Sequence, residues 1–199
     1  MILVVTNIKG GVAKTTTAMH LAAAMHATGR PVVVIDADAQ GSAIRWAAAA
    51  KQANEPLPFP VESLATRQLA LKLDDLTAGR HAVIDTGPGD ASIITAAIDV
   101  ADAVIIPANA SEDDIEQARV TVKQCTALEI PCGVLLSRVR VAESLPGFWR
   151  DTLRAEGVRV FDTWVPELVR LRAFGAGITD PSPFDQLLAE VLAMAPEAV

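Results

Sequence analysis

A chain of 199 residues with 51% apolar and 21% charged residues is long enough for one domain with a full-sized core and too apolar to be disordered. Its net charge of −7 argues against a general nucleic-acid coat protein, and its longest apolar stretches are too short to span a bilayer. The two cysteines, Cys125 and Cys132, lack metal-ligand spacing and a nearby histidine, so both read as small buried residues of a reducing compartment. The chain opens on a strand, without the basic region of a signal peptide.

The apolar run 2–6 predicts a buried strand and leads directly into NIKGGVAKTTTA, residues 7–18. Gly10 and Gly11 permit a tight turn, after which the backbone N–H groups of the loop and of a helix over 14–28 converge on one point. That is an anion site by geometry and by helix dipole. Lys14 supplies a positive charge for β- and γ-phosphates. The Thr15 hydroxyl is placed to coordinate Mg²⁺, and that of Thr16 to bond a nearer phosphate. The ordinary GxxxxGK[ST] loop has glycine where this chain has Ile8 and Ala13. Lys9 is an additional lysine at the loop's mouth.

The next apolar run, 31–35, ends in VVVIDADAQGSA, with Asp36 and Asp38 two apart. Beside a phosphate loop these carboxylates suit a Mg²⁺ shell and the orientation of an attacking water. Otherwise they form an acidic loop in front of a helix over 42–53. A proline-rich loop (54–60), a weak strand (59–64) and a helix (66–78) follow. The run 81–84 ends in HAVIDTGPGD, which places Asp85 as a Walker B aspartate is placed, before a flexible Gly87-Pro88-Gly89 turn. The rest alternates: helix 90–100, strand 103–107, helix 112–128, strand 132–136, helix 144–156, a less regular strand 158–164 and helix 184–195. On the last helix Leu187, Leu188, Val191 and Leu192 form a core-facing stripe.

Alternation of this kind predicts an α/β fold. We expect a single doubly wound domain over residues 1–199, with a mostly parallel sheet, helices on both faces and the ligand at the carboxyl ends of the strands. Residues 138–172 carry seven arginines against five acids, a local +2. That suits either a surface for a phosphate backbone or a solvated helix face.

On these motifs the chain resembles the ParA/MinD family of deviant-Walker P-loop ATPases. Residues 9–15, KGGVAKT, satisfy its KGGxxK[ST] signature, and the likeness continues through 32–43, 81–90 and AVIIPANASEDDIEQA at 103–118. The resemblance implies ATP and Mg²⁺ as ligands and hydrolysis of the β–γ phosphoanhydride. By position, Lys9, Lys14 and Asp38 would be catalytic. The nucleotide would be held by Lys9, Gly10, Gly11, Val12, Ala13, Lys14, Thr15 and Thr16, and the metal by Thr15, Asp36 and Asp85. The adenine would lie among Pro107, Ser137, Arg138, Pro166 and Glu167. The family's tolerance of other residues at the Ala13 position implies no need for a positive φ there.

The resemblance is to the small ParA-type partition and positioning ATPases. The chain starts on its first strand, without a helix-turn-helix extension. Its tail, residues 182–199, has no Lys or Arg, unlike the basic membrane helix of MinD-like relatives. Thr86 and Gly87 stand where nitrogenase-type iron proteins carry a cysteine. The implied cycle is an ATP-state homodimer, with Lys9 reaching the phosphates of the other subunit as an arginine finger does. The dimer would bind DNA non-specifically through Arg138, Arg140, Arg159, Arg170 and Arg172, and a ParB-like or cargo-adaptor protein would stimulate hydrolysis. We expect a cytoplasmic, nucleoid-associated protein that moves plasmid or chromosomal DNA. The alternatives are a protein cargo, such as a microcompartment or chemoreceptor cluster, and a nucleotide-dependent binding switch with little hydrolysis. Ala39 and Gly87 stand where many relatives carry proline, and the departures at Ala13 and Ala39 keep the switch open.

Overall fold

The computed structural model describes residues 1–140, 144–167, 178 and 183–195. Seven parallel strands form one sheet in the order β3-β2-β4-β1-β5-β6-β7. The strands are β1 (Ile2–Val5), β2 (Val32–Ala37), β3 (Val61–Ser63), β4 (His81–Thr86), β5 (Ala103–Asn109), β6 (Cys132–Val139) and β7 (Val165–Pro166). Among the described residues, seven helices alternate with them: α1 (Lys14–Ala27), α2 (Ser42–Gln52), α3 (Leu69–Thr77), α4 (Ala91–Asp99), α5 (Glu112–Ala127), α6 (Leu145–Ala155) and α7 (Phe184–Met194).

The central strands are continuous Val/Ile runs because both of their faces are covered. One core joins Leu3, Val5 and Val34 to the inner faces of α1, α2 and α7; the other joins Val4, Val33 and Ile84 to α3, α4, α5 and α6. Helix α1 is buried on nearly every side between the sheet and α7. Its run of alanines keeps it thin enough to sit there. Leu187, Leu188 and Val191 of α7 are buried in the first core, with Leu192 packed at its margin, each large side chain contributing about 1.5–3 kcal/mol.

The chain runs to one side of β1 for β2, β3 and β4 and to the other for β5, β6 and β7. A crevice therefore opens at the carboxyl end of β1. Several strands run further than their apolar runs predict. β2 and β4 continue through Asp36 and Asp85, which are partners in register on neighbouring strands. The expected strand at 158–164 is a correction. Val160 makes only an isolated parallel bridge to Val134, and the edge strand is the two-residue β7, which pairs with β6 across an irregularity between Ser137 and Val139. Arg170, Arg172 and Leu168 lie outside the described residues.

Candidate functional site

The loop from Asn7 to Ala13 is tied to its neighbours by side chains. Asn7 is fully buried; its Nδ2 donates to the Pro107 carbonyl at 2.8 Å and its Oδ1 accepts from Lys9 N at 3.0 Å. From the other side Ser137 Oγ donates to the Val12 carbonyl at 3.0 Å. Gly11 has φ 76°, with open space where a Cβ would stand. Ala13, the last residue before α1, has φ 69° and ψ 29°. That corrects the expectation of an unstrained Ala13: the left-handed conformation costs an alanine about 1–2 kcal/mol.

Helix α1 starts without a side-chain cap or an acidic residue in its first turn, so its leading N–H groups remain available to an anion. Lys14 folds back over the loop, its Nζ donating to the Lys9 carbonyl at 2.6 Å. Burial holds its pKa below the ordinary lysine value, partly offset by Asp85 and Asp38. Gly10, Gly11, Ala13, Lys14, Thr15 and Thr16 line a pocket of about 380 Å³, closed on the other side by Asp38, Ser42, Trp46, Thr86, Pro88 and Arg138.

The three acids have different surroundings. Asp36 is fully buried, its carboxylate accepting from Asp38 N at 3.1 Å and Ile44 N at 2.9 Å. It therefore pins the start of α2, and burial pushes its pKa up. Asp38 lies past the end of β2 on the pocket wall and accepts from Gln40 N at 2.9 Å. Asp85 is fully buried, with the Thr15 hydroxyl against its carboxylate. Burial pushes its pKa up to about 7, with Thr15 and Lys14 opposing the shift and Asp36 and Asp38 adding to it. Next to it, Thr86 Oγ1 donates to Thr6 Oγ1 at 2.8 Å, joining β4 to the root of the loop.

Lys9 Nζ is paired with Asp113 and lies 3.8 Å from Asp114 Oδ1, both on the first turn of α5. The Asp113 carboxylate raises its pKa.

Of the residues expected around an adenine, Ser137, Arg138, Pro166 and Glu167 lie on the neighbouring ends of β6 and β7, and Pro107 lies on β5 beside them. Pro107 and Ser137 are buried behind the loop and occupied in holding it. Arg138 faces the phosphate pocket from β6 with φ 53°. Glu167 accepts from Arg140 Nε at 2.5 Å, and neither it nor Pro166 lines the pocket. Of the arginines expected to contact DNA, the three among the described residues lie at two ends of β6. Arg138 and Arg140 lie at the carboxyl end of β6. Arg159 lies beside its amino end, where its carbonyl accepts from Val134 N and its side chain lines a pocket with Cys132. Asn7, Trp46 and Thr86 are site residues that sequence reasoning missed; only Asn7, at the mouth of the loop, carried a positional signal.

The CobQ/CobB/MinD/ParA nucleotide-binding domain profile matches residues 3–178. The curated relative Maintenance of carboxysome distribution protein A of Gloeobacter kilaueensis is 33% identical over 172 residues, 82% of this chain and 76% of its own. Among solved structures, a plasmid partition protein of Borrelia burgdorferi bound to AMPPNP is similar with TM-score 0.75 at 18% identity, over 97% of both chains. Cobyrinic acid a,c-diamide synthase of Mycobacterium smegmatis, with bound ADP and magnesium, is similar with TM-score 0.73 at 18% identity, over 96% of this chain and 93% of that one.

Proposed function

The chain belongs to the CobQ/CobB/MinD/ParA nucleotide-binding family, and from that premise we propose that it is a Mg-ATP-dependent positioning ATPase that dimerises with ATP, binds DNA non-specifically and hydrolyses ATP under the stimulus of a partner protein. The observation that carries the reading is Asp85, a carboxylate with no exposure that stands behind a phosphate-shaped loop with the Thr15 hydroxyl against it. A buried acid in that state calls for a cation.

Thr15 and Asp85 would hold magnesium, with Asp36 behind them; bound there, the ion would neutralise charge on the β- and γ-phosphates. The rest falls to the chain's own groups. The loop N–H groups and the uncapped start of α1 take the phosphate oxygens, and Lys14 lies across the loop to meet them. Asp38, on the opposite wall, orients the attacking water. Lys9 of one subunit neutralises charge at the partner's nucleotide.

A protein cargo is the second reading. The carboxysome-distribution relative favours it, because its likeness runs over most of both chains. DNA cargo and protein cargo share the same ATPase cycle and differ in the adaptor.

The test is the Asp38→Ala protein, measured for mass in solution and for retention on DNA with ATP and with ADP. An ATP-only dimer that holds DNA and does not turn over is the expected result. A monomer with ATP would overturn the sandwich. Turnover by wild type that stays at a near-zero basal rate with DNA and cognate adaptor would favour the binding switch.

A further inference from the structure

Cys125 and Cys132 lie at the end of the sheet opposite the nucleotide pocket. Cys125 is in the last turn of α5 and fully buried; Cys132 is the first residue of β6 and half-buried. The connection between them doubles back tightly. The Cys125 carbonyl accepts from Leu128 N at 3.1 Å and Ile130 N at 3.0 Å, and Glu129 turns through φ 57°. That turn returns the chain to Cys125, and Cys132 packs against the same core cluster in which Cys125 is buried, near enough for each thiol to shift the other's titration. Cys132 also borders an open pocket of about 460 Å³, with Thr126, Pro131, Gly157 and Arg159 on its walls.

We propose that Cys125 and Cys132 form a reversible dithiol–disulfide pair, with Cys132 as the thiol attacked by peroxide-class oxidants and Cys125 as the thiol that resolves it. The assignment follows from access: Cys132 lines the pocket and Cys125 is buried in the core cluster behind it. The local charge agrees. The Cys125 thiol and the Arg159 guanidinium hold Cys132 below the ordinary thiol value, while the Cys132 thiol and burial push Cys125 up. A thiolate beside a cation, backed by a second thiol, is the arrangement that oxidises selectively.

In the first step the Cys132 thiolate sulfur attacks one peroxide oxygen and the O–O bond breaks. The sulfur becomes a sulfenic acid, and the other oxygen leaves as hydroxide and takes a proton to become water. In the second step the Cys125 sulfur attacks the Cys132 sulfur and displaces its hydroxyl, which leaves as water with the Cys125 proton. Two thiols and one peroxide give one disulfide and two waters.

Both cysteines fall in one tryptic peptide, residues 124–138, bounded by Lys123 and Arg138. After treatment of the folded protein with hydrogen peroxide and alkylation under denaturing conditions, that peptide should lack both alkyl groups and weigh two hydrogens less. Dithiothreitol should restore both alkylation sites. Cys125→Ala should stop at a Cys132 sulfenic acid captured by dimedone. Two alkylatable thiols in the oxidised wild type, a chain-to-chain crosslink in place of the internal bond, or dimedone capture at Cys125 would each overturn the proposal.

Discussion

The carboxylate of Asp38 rests against the backbone of Gly87: a Cβ added at Gly87 would lie 2.6 Å from Asp38 Oδ1 and 2.7 Å from its Cγ. Gly87 does not have a positive φ, so the constraint is space. The glycine after β4 leaves room for the acid after β2 to reach the pocket wall. Gly87→Ala should therefore push Asp38 aside while leaving the phosphate loop intact. Misplacement on this scale costs up to ~100-fold in rate. We expect ATP affinity near wild type and turnover at least ~10-fold lower, read from nucleotide titration and steady-state ATPase. Adding Asp38→Ala to Gly87→Ala should cost little more, since both act through one group. A Gly87→Ala protein with wild-type turnover would refute this link.

Lys14 is the side-chain cation folded over the loop, and the buried Asp85 lies close enough behind it to feel its charge. Lys14→Ala removes that charge from the phosphates and from the buried acid together. Hydrogen bonds to charged groups are worth about 1.5–3 kcal/mol, so ATP affinity should fall by roughly 10- to 150-fold. Equilibrium titration with a fluorescent ATP analogue measures it, and unchanged affinity would remove Lys14 from the site.

Ala13 holds φ 69° at the start of α1. Glycine adopts that angle without a Cβ penalty but loses more chain entropy on folding, about 0.5–1 kcal/mol against alanine. With a left-handed alanine costing about 1–2 kcal/mol, Ala13→Gly should be stabilising by roughly 0.5–1 kcal/mol, a rise of about 1–4 °C in a melt of a chain this size. Ala13→Val, β-branched at the same angle, should be destabilising. Thermal melts of the pair, without nucleotide, separate backbone strain from ligand effects.

The φ of Ala13 marks where the sequence stops being informative, because a residue's identity does not report its backbone angle. Lys14, Asp36 and Asp85 were locatable because each ends or follows a continuous apolar run, which fixes the strand and hence the end of the sheet. β7 was not, because two residues carry no periodicity and their pairing depends on an irregular stretch of β6. Ser137 and Arg138 are adjacent in sequence, yet one holds the loop from behind and the other faces the pocket. The arginines at 138 and 159 look like one basic cluster in sequence. The strand between their positions spans roughly 20 Å at about 3.3 Å per residue, which parts them.

Asp85 predicts a pH dependence. Its folded pKa is about 7 against an ordinary 3.8, so between those values the folded protein holds a proton that the unfolded chain has lost. Stability of the nucleotide-free protein should therefore fall as pH rises through that window. The upper bound of the effect is roughly 4 kcal/mol, at about 1.4 kcal/mol per unit. Asp85→Asn should flatten the dependence and be more stable than wild type at pH above ~7. Urea melts in EDTA at the two ends of the window test it; parallel curves for the two proteins would show that Asp85 is not the titrating group.

Lys9 is paired with Asp113 on α5, so a role at a partner's nucleotide requires that contact to open. Asp113 is exposed and Lys9 partly so, and an ion pair of that kind is weak. Asp113→Ala removes the competitor and leaves Asp114, which is already held by Asn109 Nδ2 at 2.6 Å. In an Asp38→Ala background, where ATP is not turned over, the added Asp113→Ala should tighten the ATP dimer by roughly 2- to 30-fold, because both subunits release the pair. The gain should shrink in high salt, which screens the exposed pair. Sedimentation equilibrium with ATP measures both arms. An unchanged or weaker dimer would mean that Lys9 does not have to leave Asp113, and with it would go the reading of Lys9 as a residue that crosses between subunits.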